Sequence, residues 1–296
     1  MTTEPVPQPP FVDVPAAVPE RRDDADPSPH PRWPPWTALV ALVAGFAAAL
    51  FGALVLGVVA LAFGANFKHQ PPSVQILATI VQDLCLIGSA VAFARMYGRA
   101  RPEDFGLRST RLRPAVGWAL LTLAAFFVFT AVFVAIIGAS PKDDQLPKQL
   151  GVDDSTAAML AVAFLVAVVA PVAEEFFFRG FCFTALRNWR GLWPAAIGTG
   201  LVFGAIHASS ADIAFLLPLA FFGFSLCLLY YKTGSLYPGI AVHCTNNCIA
   251  FGATQSWTWQ IPVLLVASLA VIALIALAVR HASSASPPAA APAAAA

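Results

Sequence analysis

"PVAEEFFFRGF", residues 171–181, sits inside an apolar run from about 156 to 186, and it places two adjacent carboxylates and a guanidinium among residues that favour oil. A spanning helix takes about 20 mostly apolar residues. This run meets that length, so the fold is that of a membrane protein and the charges inside it require a reason. The whole chain agrees: 58% of residues are hydrophobic and 11% charged, against roughly 25% charged in an ordinary soluble domain.

Reading outward from that stretch gives an all-α fold, a polytopic membrane bundle of about eight transmembrane helices. They are expected near 37–65, 73–96, 115–138, 156–186, 192–208, 213–231, 235–253 and 260–279. The fifth is short, as a tilted or partly buried helix would be. Residues 1–36 are proline-rich with scattered charge and read as a disordered cytoplasmic tail. Residues 37–280 form the bundle, and 281–296 are a low-complexity Ala/Pro tail. No apolar segment of signal-peptide type follows the start.

The formal net charge is +1, so no global field draws the chain to nucleic acid. The expected partners are the lipid bilayer and a membrane-associated protein or peptide. Lys and Arg near helix ends favour the cytoplasm. The connection between the second and third helices carries Arg95, Arg99, Arg101, Arg108, Arg111 and Arg113. Arg187, Arg190, Lys232 and Arg280 fall on the same side of an eight-helix arrangement, which makes this a multi-pass cell-membrane protein with both termini cytoplasmic. The five cysteines, Cys85, Cys182, Cys227, Cys244 and Cys248, all lie in apolar segments and read as small core residues rather than a disulfide framework.

Few strongly polar side chains remain inside the apolar segments: Asp83, then Glu174, Glu175, Arg179, His207, His243, Asn246 and Asn247. Such residues are costly in hydrocarbon, so they face a protein interior and mark function or pairing. Glu175 and Arg179 are four apart, on one helix face in the favourable acid-first order. They read as a self-compensating brace. Glu174 has only Phe178 at the matching position and is left for chemistry. Asp83 is expected to pair structurally, with Arg179 as one candidate, or to line a watery entry.

His243 and Asn247 are four apart and project together, and His207 follows Phe203 at the same spacing. Glu174 is 13 residues before Arg187 and His207 is 14 after Trp193. At 1.5 Å per residue both lie about 20 Å from one boundary, so the three helices can present one polar layer. A carboxylate and two imidazoles at one depth support two mechanisms. His207, His243 and Glu174 or Asn247 could hold a divalent ion such as zinc that activates water. Equally, Glu174 with His207 could act as general base without metal, with His243 and Asn247 donating to an oxyanion. Either hydrolyses a peptide bond in or beside the membrane.

"EEFFFR" (Glu174, Glu175, Arg179), "FGAIH" (Phe203, His207) and "HCTNN" (His243, Asn247) resemble, in order and spacing, the three motifs of the CPBP family, the CAAX-protease and bacteriocin-processing intramembrane proteases also called Abi. "PEDFGLR" at 102–108 and "GSLYPGIAVH" at 234–243 are similar to that family too, and the resemblance covers about 73–253. It implies a bacterial-type intramembrane endopeptidase, a hydrolase often labelled a metalloprotease. Glu174 and His207 would activate water, His243 and Asn247 would stabilise the oxyanion or bind metal, and Glu175 and Arg179 would support them. The rival readings are a non-catalytic scaffold or immunity protein using the same polar layer, and a transporter, for which the chain lacks an internal repeat. Cys244 and Cys248 as co-ligands of His243 are disfavoured, since adjacent helical positions diverge by about 100°.

Overall fold

The computed structural model describes residues 33–66, 70–138 and 146–285. All of them belong to one contact unit, Pro31–Ala296. The tails expected at 1–36 and 281–296 therefore lie mostly outside the described residues, as does the loop at 139–145.

Eight long helices follow in order: α1 Trp36–Ala62, α2 Pro72–Arg95, α3 Leu112–Ile137, α4 Thr156–Arg190, α5 Leu192–Ile206, α6 Leu216–Thr233, α7 Leu236–Thr254 and α8 Gln260–Ala285. Among the described residues, seven helical segments are long and apolar enough to cross a membrane. The helix that falls short is α7, whose apolar run is interrupted by His243, Asn246 and Asn247. A polytopic helical bundle results, with no strand among the described residues. At its edges the expectation shifts slightly. Trp33 is buried against the rings of Phe105 and Phe181, so packing begins before α1, and α8 continues to Ala285.

The outer helices expose aliphatic side chains such as Leu50, Leu112 and Ile136, as hydrocarbon rather than water would be their solvent. α4 is different, because Phe177, Phe178, Phe181 and Phe183 are all fully enclosed. Its middle runs through the centre of the bundle, so Glu175 and Arg179 meet protein on every side.

α4 is also not a uniform α-helix. It begins with a capped turn, in which Ser155 Oγ accepts from the Ala158 amide at 3.1 Å, and then widens into π geometry at Leu165–Val169 and again at Phe176–Phe183. The first widening precedes Pro171, whose ring removes an N–H and crowds the preceding turn. In the second, Thr184 Oγ1 donates to the carbonyl of Arg179, five residues back, at 3.2 Å. The short α-helical piece between the two, Ala170–Glu175, carries both glutamates. Wide turns of this kind re-aim side chains and recur at functional sites.

α5 and α6 approach closely through Gly200 and Gly204. A Cβ at Gly204 would stand 2.5 Å from the Leu216 carbonyl oxygen, and one at Gly200 would stand 2.6 Å from that of Ala220. Small residues four apart are what allow membrane helices to come this near. The approach holds the end of α5, and with it His207, against the bundle.

Candidate active site

Glu174, His207, His243 and Asn247 line one cavity of about 180 Å³, together with Asn246 and an apolar wall that includes Val166, Phe203, Phe222 and Phe251. α4 supplies the carboxylate, the C-terminal end of α5 supplies His207, and α7 supplies the other three polar groups. The polar layer expected from helix depth is thus brought together around a space that can hold water or a small group.

The two adjacent glutamates occupy different environments. Glu175 and Arg179 are both fully buried, with Arg179 Nη1 donating to Glu175 Oε1 at 2.7 Å. Arg179 Nη2 donates to the Gly223 carbonyl at 3.1 Å, and the guanidinium lies 4.5 Å from the centre of the Phe203 ring. The ion pair therefore has hydrogen-bond and cation–π support in a dry site, where an unsupported pair would not repay its desolvation. It is not self-contained, however. Glu175 Oε1 also lies 3.0 Å from His243 Nδ1, so the brace reaches into the site.

A carboxylate oxygen only accepts, so His243 Nδ1 carries the proton and Nε2 faces the other way. There it stands 3.8 Å from Glu174 Oε2. That oxygen is buried and has no hydrogen-bond partner. His207 is oriented by the same logic: Nδ1 lies 2.7 Å from the Phe203 carbonyl oxygen, which fixes the proton on Nδ1 and leaves Nε2 as acceptor. Glu174 and His207 share the cavity without a direct hydrogen bond, so any pairing between them passes through what lies in it.

Asn247 is anchored on α4. Its Nδ2 donates to the Val166 carbonyl at 3.0 Å, and its Oδ1 accepts from Asn246 Nδ2 at 3.3 Å. α7 can approach α4 here because Gly239 has no side chain: a Cβ would stand 2.9 Å from Glu175 Oε2.

Several expectations change. Asp83 does not pair with Arg179, whose partners are Glu175, Gly223 and Phe203. Asp83 is buried on α2 and its Oδ2 has no hydrogen-bond partner. Cys244 and Cys248 approach each other, Sγ to Sγ at 3.9 Å, and both are enclosed. They do not join His243, in keeping with their divergence on the helix. Among the described residues, no three His, Cys, Asp or Glu side chains are arranged to hold a metal ion. Glu174, His207 and His243 line one cavity but do not form a ready-made ligand set. The residues that sequence reasoning did not assign to the site are Phe203 as the face under Arg179, Gly239 and Asn246. Asn246 carried a signal as a polar residue inside an apolar helix, while Phe203 and Gly239 lay in motif-like stretches without a role of their own.

The family model described as "Type II CAAX prenyl endopeptidase Rce1-like" matches residues 156–249, the span from α4 into α7 that contains Glu174, His207, His243, Asn246 and Asn247. A Bacillus subtilis (strain 168) protein described as "Putative membrane peptidase YdiL" is 24% identical over 143 residues, which cover 46% of this chain and 56% of that relative. The chain thus spans about half the length of the curated relative it matches. No solved structure matches it. Both comparisons support the CPBP (CAAX-protease) family, the one its motifs resemble, and a membrane peptidase of that kind.

Proposed function

We propose that this protein is an intramembrane endopeptidase that hydrolyses a peptide bond of a membrane-associated protein or peptide by water activated at Glu174 and His207. The observation that carries this reading is the buried, unpartnered Oε2 of Glu174 on a cavity shared with His207, His243 and Asn247. A carboxylate oxygen with no hydrogen-bond partner beside a water-sized space is available as a general base.

In this reading Glu174 takes a proton from water while His207 Nε2 holds the water through its second hydrogen. The oxygen attacks the carbonyl carbon, and the oxyanion accepts from Asn247 Nδ2. His243 gives a second hydrogen bond from Nε2 when its ring carries both protons. Glu174 then returns the proton to the amine as the C–N bond breaks. A divalent ion would add Lewis-acid activation, with Glu174, His207 and His243 as the side chains nearest to hand. Both termini lie on the cytoplasmic side in this reading, with the basic connection between α2 and α3.

Cleavage of a membrane-tethered peptide library by the purified protein, beside Glu174→Gln and with and without a chelator, tests the reading. Loss of cleavage in a folded Glu174→Gln protein supports it, and insensitivity to chelator supports the metal-free route. Equal cleavage by wild type and variant overturns it and favours a scaffold or immunity role.

A further inference from the structure

Asn246 lies within "HCTNN" but has no role assigned to it there, yet it lines the cavity and its Nδ2 donates to Asn247 Oδ1 at 3.3 Å. What Asn247 does with its remaining atoms gives that contact its meaning, and the explanation starts on α4.

In the first π turn of α4 the Ala170 amide donates to the Leu165 carbonyl, five residues back. The next carbonyl in that register, Val166, would take its hydrogen from residue 171. Residue 171 is proline and has no N–H. The Val166 carbonyl is therefore left without a helical donor, a costly state for a backbone group away from water. Asn247 Nδ2, reaching across from α7, fills the vacancy at 3.0 Å.

This arrangement determines which way the Asn247 amide faces. With the amide reversed, its oxygen would confront the Val166 oxygen, which can only accept, while at the other end the Asn246 NH₂ would lose the oxygen it donates to. Two groups, one at each end of the amide, thus hold a single orientation. An amide nitrogen has two hydrogens, and Val166 uses one. The other remains for the cavity that Asn247 lines.

We propose that Asn246 is a positioning residue: with the Val166 carbonyl released by Pro171, it locks the Asn247 amide so that its second N–H is presented to the oxyanion. This rests on the proteolytic reading above. Asn246 acts through Asn247 and does not touch the reacting atoms.

The test is a double-mutant cycle on Asn246→Ala and Asn247→Ala, with Glu174→Gln as reference, measured as kcat and KM on a cleaved membrane-tethered peptide. Asn246→Ala is expected to lower kcat about 10- to 100-fold, the cost of a misplaced group, with KM changed less than about twofold. The double variant is expected to be no slower than Asn247→Ala alone, because residues that act as one unit are non-additive. An unchanged kcat for Asn246→Ala, a loss confined to KM, or losses that multiply in the double variant would overturn the proposal.

A second measurement is independent of turnover. In ¹⁵N-asparagine-labelled protein in micelles, the Asn247 side-chain amide hydrogens should exchange slowly, and faster in Asn246→Ala. Pro171→Ala, which restores an N–H that competes for the Val166 carbonyl, should also speed this exchange while the protein stays folded. Unchanged exchange in both variants overturns the lock. If wild type and Glu174→Gln cleave alike, the proteolytic reading fails, and the exchange measurement alone decides whether Asn246 positions Asn247.

Discussion

His243 Nδ1 lies 3.0 Å from Glu175 Oε1, the same oxygen that accepts from Arg179 Nη1 at 2.7 Å. One carboxylate oxygen therefore neutralises a buried guanidinium and fixes the ring of a site histidine. Stability and site geometry meet in this atom.

The two adjacent glutamates should separate cleanly when each is changed to glutamine. Glu174→Gln is expected to lower cleavage about 10²- to 10⁴-fold, the usual worth of a general base. Thermal unfolding in micelles should be nearly unchanged, since Glu174 Oε2 has no hydrogen-bond partner to lose. Glu175→Gln should lower activity and also destabilise by about 3–5 kcal/mol, because it leaves Arg179 buried without its counter-charge. Equal unfolding temperatures for the two variants would contradict this division.

Replacing the ion pair with apolar residues separates its two duties. Glu175→Leu with Arg179→Met should recover most of the stability lost by Glu175→Gln, since a well-packed apolar pair avoids the desolvation cost. Cleavage should stay low, because the partner of His243 Nδ1 is still missing. A double variant that cleaves at the wild-type rate would show that Glu175 does not orient His243.

Gly239→Ala should damage the site through packing alone. Its Cβ would stand 2.9 Å from Glu175 Oε2, and both groups are enclosed. Displacing Glu175 moves His243 with it, so activity should fall together with a stability loss of about 1–3 kcal/mol. Kinetics and thermal unfolding on the same preparation check both effects.

Gly204→Ala and Gly198→Ala form a matched pair on α5. A Cβ at Gly204 would meet the Leu216 oxygen at 2.5 Å and the Ala220 nitrogen at 2.9 Å, whereas one at Gly198 would meet nothing within 4 Å. Gly204→Ala should destabilise and, by loosening the end of α5, impair His207. Gly198→Ala should be neutral or slightly stabilising, since Ala is the better helix former. Similar melting temperatures for the two would mean that α5 and α6 do not rely on this approach.

How much of this was legible depended on the range of the physics involved. The membrane helices were readable because hydrocarbon demands long apolar runs with internally paired backbones, and each expected span has a helix. α7 is the informative case: His243, Asn246 and Asn247 weaken its apolar run, and the same residues line the cavity. The pair Glu175–Arg179 was also readable, because residues four apart share a helix face. Asp83 was not. Its expected pairing with Arg179 required knowing which helices meet, and Arg179 is already engaged by Glu175, Gly223 and Phe203.

By itself, then, the sequence determined that the chain is a helical membrane bundle, that α4 holds an ion pair one turn apart, and which polar residues have no place in lipid. These follow from local periodicity and from the cost of polarity in oil. Only the tertiary structure decided that Glu175 grips His243, that Glu174 keeps an unpartnered oxygen on the cavity, and that Asn247 caps the Val166 carbonyl stranded by Pro171. Those relations join residues 68 and 81 positions apart. No helical period reaches that far, and the choice was made by how closely glycine and a wide turn allow α7 to approach α4.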